Sequence, residues 1–270
     1  MTRITVTCVQ MEPRVGEVES NRAATVRAIE QACAHGARLV VLPELAVSGY
    51  VFRSSDEARA CAEPADGPTL KAWLEAARRC NAVVVGGFAE QAGGSLYNSA
   101  AVVAPQGVLA VYRKLHLWGF ENDFFTPGAD PPPVVDTPVG RIGVAVCYDL
   151  WFPEVARLLA LGGAELMALP TNWPEDRVPA GERPMEVNLV MAAAHVNRMA
   201  VAAADRCGTE RGLRFLGWSL IVDAWGWPAA PFAGGGPQLV TAAVDLAVSR
   251  DKSWGRYNDI LGDRRPEVYG

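Results

Sequence analysis

Histidine is scarce in this chain. Only His35, His116 and His195 occur among 270 residues, which leaves little room for histidine-based chemistry. The six cysteines, Cys8, Cys33, Cys61, Cys80, Cys147 and Cys207, are widely scattered, with no CxxC pair and no Cys/His cluster at zinc spacing. Neither a disulfide framework nor a structural zinc site is expected, and most of these thiols read as packing residues. No apolar run reaches the roughly 18 residues of a membrane helix. The N-terminal stretch Met1-Thr2-Arg3-Ile4 reads as opening directly into a strand, and no secretory h-region is expected. A basic excess is also missing: Lys plus Arg number 25 against 30 Asp plus Glu, a net charge of −5. That balance, and the lack of a basic-aromatic stripe, argues against nucleic acid as a partner. A soluble cytoplasmic protein is expected. No linker or low-complexity stretch divides the chain, so residues 1–270 read as one domain.

What is present is apolar and regularly punctuated. Half of the residues are hydrophobic, enough for a sizeable core. Apolar runs predict strands over 4–9, 39–42, 82–88, 97–104, 108–112, 141–146, 165–169, 199–204, 218–222 and 239–244. Apolar spacing with Pro, Ser/Asn and Gly punctuation predicts helices over 20–36, 67–80, 153–161 and 185–198. Strands alternating with helices, with hairpins mixed in, predict a layered α/β domain. Two irregular segments, 114–133 and 170–184, are long enough to be functional loops. The tail, 252–270, is polar with little periodicity.

Three ionisable residues stand where apolar strands stop: Glu44, Lys114 and Cys147. Ligands bind at the carboxyl ends of strands in open α/β sheets. Each residue alone also suits an ordinary role, solvated for Glu44 and Lys114 and buried for Cys147. Together they supply a base, a cation and a nucleophile, which is a complete kit for acyl transfer through a thioester. Cys147 lies between a strand end and the helix signal at Pro153, and free backbone N–H groups there are expected to favour the thiolate. His116 with Cys147 could instead form a Cys–His pair, and His195 reads as a core or interface residue.

The stretches Leu42-Pro43-Glu44-Leu45, Tyr112-Arg113-Lys114-Leu115-His116 and Val146-Cys147-Tyr148-Asp149 resemble, in order and spacing, the Glu–Lys–Cys triad motifs of the nitrilase superfamily, the carbon–nitrogen hydrolases. Glu121 to Gly128 resembles the segment carrying that family's second active-site glutamate. Trp151-Phe152-Pro153-Glu154 and Arg264-Arg265-Pro266 match further family features, so the resemblance runs from about Ile4 to Tyr269. It implies a four-layer α-β-β-α sandwich that assembles into homodimers or higher oligomers across helical faces. It further implies catalysis by Glu44, Lys114 and Cys147 with Glu121 as a fourth site residue, and no metal or organic cofactor.

Tyr148-Asp149 stands where the nitrile-cleaving branch usually has Trp-Glu, a resemblance to the amidase and carbamoylase branches. A small-molecule amide is therefore the expected substrate; an N-carbamoyl amine, a nitrile and transfer of the acyl group to an amine remain open. The backbone N–H of Tyr148 is a candidate oxyanion donor, and Tyr50, Trp118, Asn172 and Trp173 are candidates to border the pocket. A substrate carboxylate would need an arginine, with Arg177, Arg183, Arg206 and Arg211 as candidates.

Overall fold

The computed structural model describes residues 3–269; Met1 and Thr2, before the expected first strand, and Gly270, the last residue of the expected tail, lie outside them. Two sheets pack face to face. The first holds β1 (Arg3–Gln10), β2 (Leu39–Val41), β3 (Val83–Ala92), β4 (Ser95–Ala104) and β5 (Gly107–Arg113). Helices α1 (Val18–Ala34), α2 (Ser55–Ala60) and α3 (Pro68–Cys80) interrupt it. The second holds β6 (Val134–Thr137), β7 (Gly140–Val144), β8 (Leu166–Thr171) and β9 (Ala200–Asp205), with α4 (Pro153–Leu161) and α5 (Met185–Asn197) between them. A small hairpin of β10 (Thr209–Glu210) and β11 (Leu213–Arg214) precedes β12 (Leu220–Val222), and β13 (Gln238–Asp245) follows. The sheet orders are β13-β1-β2-β3-β4-β5 and β12-β9-β8-β7-β6.

Period-two side-chain alternation builds the layers. Leu39 and Val41, Val83 and Val85, and Ala100 and Val102 point into the core shared with the second sheet. Their neighbours Val40, Leu42, Val84, Ala101 and Val103 pack instead with Ile29 of α1 and Leu70, Trp73 and Ala77 of α3. The central strands are thus buried on both faces, which is why they read as continuous apolar runs rather than alternating ones. On the far side, α4 and α5 cover the second sheet through Val155, Leu159, Val187, Val190 and Ala194. The order helix, sheet, sheet, helix is the four-layer α-β-β-α sandwich.

Helix ends follow local chemistry. Pro68 occupies the first turn of α3, where its missing N–H costs nothing, and Asn81 closes the helix at φ 49°. Helix α1 begins at Val18, two residues before the expected Ser20-Asn21 start. Asn21 does not cap it. Its side chain donates to the carbonyls of Arg14 and Val47 at 2.7 and 2.8 Å, stapling two loops. The polar tail is also more ordered than its sequence suggests: Ser253–Trp254 pairs with Asn258–Asp259, and Pro266–Tyr269 makes a helical turn. Such elements are too short to leave a periodic signal. Among the described residues no helix is long and apolar enough to cross a membrane.

Candidate active site

Glu44, Lys114 and Cys147 meet at one end of the sandwich, two contributed by the first sheet and one by the second. The Glu44 turn follows β2 and is stitched to β3: Gly87 N donates to Pro43 O at 3.0 Å and Ala46 N to Gly87 O at 2.9 Å. A Cβ at Gly87 would stand 2.5 Å from Glu44 Cα, so only glycine permits this approach. Leu45, next to Glu44, takes the left-handed conformation at φ 46°. Lys114 directly follows β5. Its N–H donates to Asn98 O at 2.9 Å, and its carbonyl accepts from Gly128 N at 2.8 Å. Cys147 opens a short 3-10 turn, Cys147–Trp151, at φ 47°. A non-glycine residue there stores strain of about 1–3 kcal/mol, of the kind that turns a nucleophile out of its strand.

Lys114 Nζ donates to Glu44 Oε1 at 2.7 Å and to both Glu121 oxygens at 2.7 and 2.8 Å. Asn98 Nδ2 donates to Glu44 Oε1 at 2.7 Å, and Tyr50 OH to Glu121 Oε1 at 2.6 Å. Glu44 and Lys114 are 0% exposed, Glu121 1% and Cys147 5%. Two carboxylates and one ammonium thus share a space almost wholly buried from solvent. The one carboxylate oxygen in this cluster without a partner is Glu44 Oε2.

The charges act on one another accordingly. Burial raises the Glu44 carboxyl, Lys114 opposes and Glu121 adds to the rise, and the result is a pKa of about 7. Burial works against the Lys114 ammonium, but Glu121 and Glu44 overcome it and hold the amine protonated. Cys147 is pushed well above an ordinary thiol by burial and then by Glu44; Lys114 and the N–H of Asn172, which bonds the sulfur, pull the other way without prevailing. This corrects the expectation of a resting thiolate. The helix α4 starts at Pro153, beyond the intervening 3-10 turn, and its dipole falls off within a turn. Burial and nearby carboxylates decide instead.

His116 is not paired with the sulfur. Its Nδ1 meets Asp149 Oδ1 at 2.8 Å, and its ring stacks on Phe152 at 3.7 Å. His195 is exposed rather than in the core, with Nδ1 at 2.7 Å from Trp225 O. Arg113 turns away from the cluster to pair with Glu90 at 2.7 Å.

Sequence reasoning missed three buried residues. Asn98 bridges the two glutamates, with Nδ2 also 3.3 Å from Glu121 Oε2. Asp149 accepts from Val146 N at 3.0 Å, Tyr112 OH at 2.8 Å and His116 N at 3.1 Å, tying the Cys147 turn to the Lys114 segment. Asp205 accepts from Thr171 Oγ1 and Trp173 N at 3.1 and 3.0 Å and so fixes the loop bearing Asn172. Asn98 and Asp205 did carry a signal, a polar residue in or ending an otherwise apolar strand, but nothing local named their partners.

A cleft of about 290 Å³ opens on Cys147, lined by Trp118, Tyr148, Trp151, Trp173, Pro174, Glu175, Asp176 and Glu186. That volume suits a small ligand. Of the expected pocket residues, Trp118, Tyr148 and Trp173 line it. Tyr50 and Asn172 do not; both are buried behind it, at Glu121 and at the Cys147 sulfur respectively. The arginines proposed for a substrate carboxylate are elsewhere. Arg206 is buried against Glu210 at 3.1 Å, Arg211 pairs with Glu57 at 2.5 Å, Arg183 meets Met191 Sδ at 3.1 Å, and Arg177 is not a cleft residue.

Residues 5–252 match the carbon–nitrogen hydrolase family, and the chain belongs to that family. A nitrilase from Pyrococcus abyssi is 38% identical over 267 residues, spanning 98% of this chain and 99% of that one. An (R)-stereoselective amidase from Pseudomonas sp. is 37% identical over 263 residues, spanning 97% and 92%. Among solved structures, a mutant of the amidase from Nesterenkonia sp. AN1 superposes with a TM-score of 0.82 at 28% identity, over 98% of this chain and 95% of that chain. That structure shows covalent addition of the acetamide moiety of fluoroacetamide at its active-site cysteine. The present protein is accordingly a thiol-dependent hydrolase of carbon–nitrogen bonds other than peptide bonds.

Proposed function

We propose that the chain converts a small-molecule amide to a carboxylic acid and ammonia, with Cys147 as nucleophile, Glu44 as general base and acid, and Lys114 as the positive charge that stabilises the oxyanion. The observation that carries these roles is that the buried Glu44 carboxyl keeps one oxygen, Oε2, without a partner, and that its charge reaches the buried Cys147 sulfur. The Cys147 thiol passes its proton to Glu44 as the sulfur attacks the amide carbonyl. A carboxyl near pKa 7 suits that exchange at neutral pH. The three N–H donors of Lys114 meet Glu44 Oε1 and both Glu121 oxygens, so what Lys114 brings to the oxyanion is its buried positive charge. The Tyr148 N–H is the hydrogen-bond donor to it, and losing such a donor costs about 3 kcal/mol in the barrier. Glu44 then protonates the nitrogen, the C–N bond breaks and ammonia leaves a Cys147 thioester. Water attacks the thioester, giving a proton to Glu44. The C–S bond breaks, the acid departs, and Glu44 returns the proton to the sulfur. Glu121 holds Lys114 in place throughout. No cofactor is needed.

Ammonia release from a panel of primary amides, N-carbamoyl amines and nitriles tests this reading. Amides are expected to be cleaved. Acid formed only from nitriles or only from N-carbamoyl amines overturns the amide assignment, and hydroxamate formed far faster than acid with hydroxylamine present makes the chain a transferase. We also take the chain to work as one domain, in the cytoplasm, as a homodimer or higher oligomer packed through α4 and α5. Exposed Leu158, Leu161, Met185 and Val196 on those helices support that arrangement, and light scattering in solution checks it.

A further inference from the structure

The mouth of the Cys147 cleft has a chemistry of its own. Three aromatic rings form one wall: Trp118 and Tyr148 meet edge-on at 4.8 Å, and Trp151 packs at 5.7 Å from both. Trp118 and Trp151 are 36% and 44% exposed, so their faces are not consumed by the core. The same cleft is also lined by three carboxylates, Glu175, Asp176 and Glu186, and by no Lys, Arg or His.

These carboxylates are not equivalent. Glu175 is neutralised by Arg214. Asp176 takes only the backbone N–H of Arg177, at 2.6 Å, and neither Asp176 nor Glu186 has an ion pair among the described residues. Burial raises the Glu186 carboxyl and the negative charge of Asp176 raises it further, which marks two anions close together with no cation between them. Trp173 offers this cleft a donor that would meet an acceptor such as the substrate carbonyl, not the cationic end. It is 2% exposed, it lines the same cleft, and its indole N–H has no partner. Buried donors are normally paired. Aromatic faces and unpaired carboxylates around one small space are the two features that recognise an ammonium or guanidinium group.

Given the amide-hydrolysing reading of Cys147, we propose that this cleft selects small amides bearing a cationic amino group at the end distal to the reacting carbonyl, held between Asp176 and Glu186 and against Trp118 and Trp151. The carboxylate-bearing amide is then the disfavoured substrate, since its charge meets two anions and no arginine.

Charge-matched amides test this. The chain-length analogues ε-aminocaproamide, caproamide and adipamate differ in terminal charge, and γ-aminobutyramide with butyramide gives a shorter pair. The expected kcat/KM is about tenfold higher for the cationic than for the neutral amide, and lowest for adipamate. Glu186→Gln and Asp176→Asn are each expected to reduce the cationic-to-neutral ratio several-fold, and high salt to reduce it in the unaltered enzyme. A ratio of one or less with the neutral amide turned over, or a ratio unchanged in the double variant, overturns the cation subsite alone. Binding to the Cys147→Ala protein, read from tryptophan fluorescence, is independent of turnover. Tighter binding of ε-aminocaproamide than of caproamide with no ammonia from any amide supports the subsite and overturns the amide reading. Equal binding overturns the subsite.

Discussion

At the scale of single residues, the site works by withholding water from opposed charges. Under the proposed mechanism Glu44 is the group whose protonation state limits the reaction, because a protonated carboxyl cannot accept the thiol proton. Its raised pKa of about 7 predicts that kcat/KM climbs with pH through about 7, and a pH–rate profile reads this directly. Glu44→Gln is expected to remove that limb together with most turnover. Lys114 holds together two carboxylates that would otherwise face each other in a dry space. Lys114→Ala is therefore expected to abolish turnover and also to lower unfolding stability by about 3–5 kcal/mol, the cost of stranding buried charge; Cys147→Ala is expected to abolish turnover with little change in the melt. Glu44, Lys114, Cys147 and Glu121 were legible because each sits in a motif with its own neighbours. Asn98, Asp149 and Asp205 were not, because a buried polar side chain is defined by partners far along the chain: Asn98 lies 54 residues from Glu44 and Asp149 lies 37 from Tyr112.

At the scale of elements, the turns matter more than the strands they join. The Glu44 turn lies so close to β3 that Gly87→Ala forces a Cβ to within 2.5 Å of Glu44 Cα. That variant is expected to lose at least about a hundredfold in kcat/KM, as about 1 Å of displacement does in a catalytic constellation, while its circular dichroism stays native. Helix α3 is anchored differently. Trp73 is 0% exposed, and its indole donates to Thr25 of α1 at 2.9 Å. Trp73→Ala is expected to cost about 3–5 kcal/mol in denaturant unfolding. The central strands and helices α1, α3, α4 and α5 followed from apolar spacing because their packed faces are apolar; the six-residue α2 and the four-residue edge strand β6 are too short and too polar to leave such a signal and were not expected. The thiolate expectation failed for a reason that spacing does not encode: the turn after Cys147 is tightened into a 3-10 segment, and charge from the other sheet reaches the sulfur.

At the scale of the whole molecule, the two layers of strands are joined mainly by apolar contact between Val, Ala and Leu side chains. The four-layer plan was implied by likeness to a family and not by periodicity, since alternation along a strand does not say what will cover it. The division of labour between the layers has a practical outcome. Glu44 and Lys114 ride on one slab and Cys147 on the other, so under the proposed mechanism turnover gauges how well the slabs stay aligned. A small slip between them is expected to silence the enzyme before either slab frays. On gradual heating, ammonia release is thus expected to fade several degrees ahead of the far-ultraviolet signal, and coincident loss of the two would show that the slabs never slide independently.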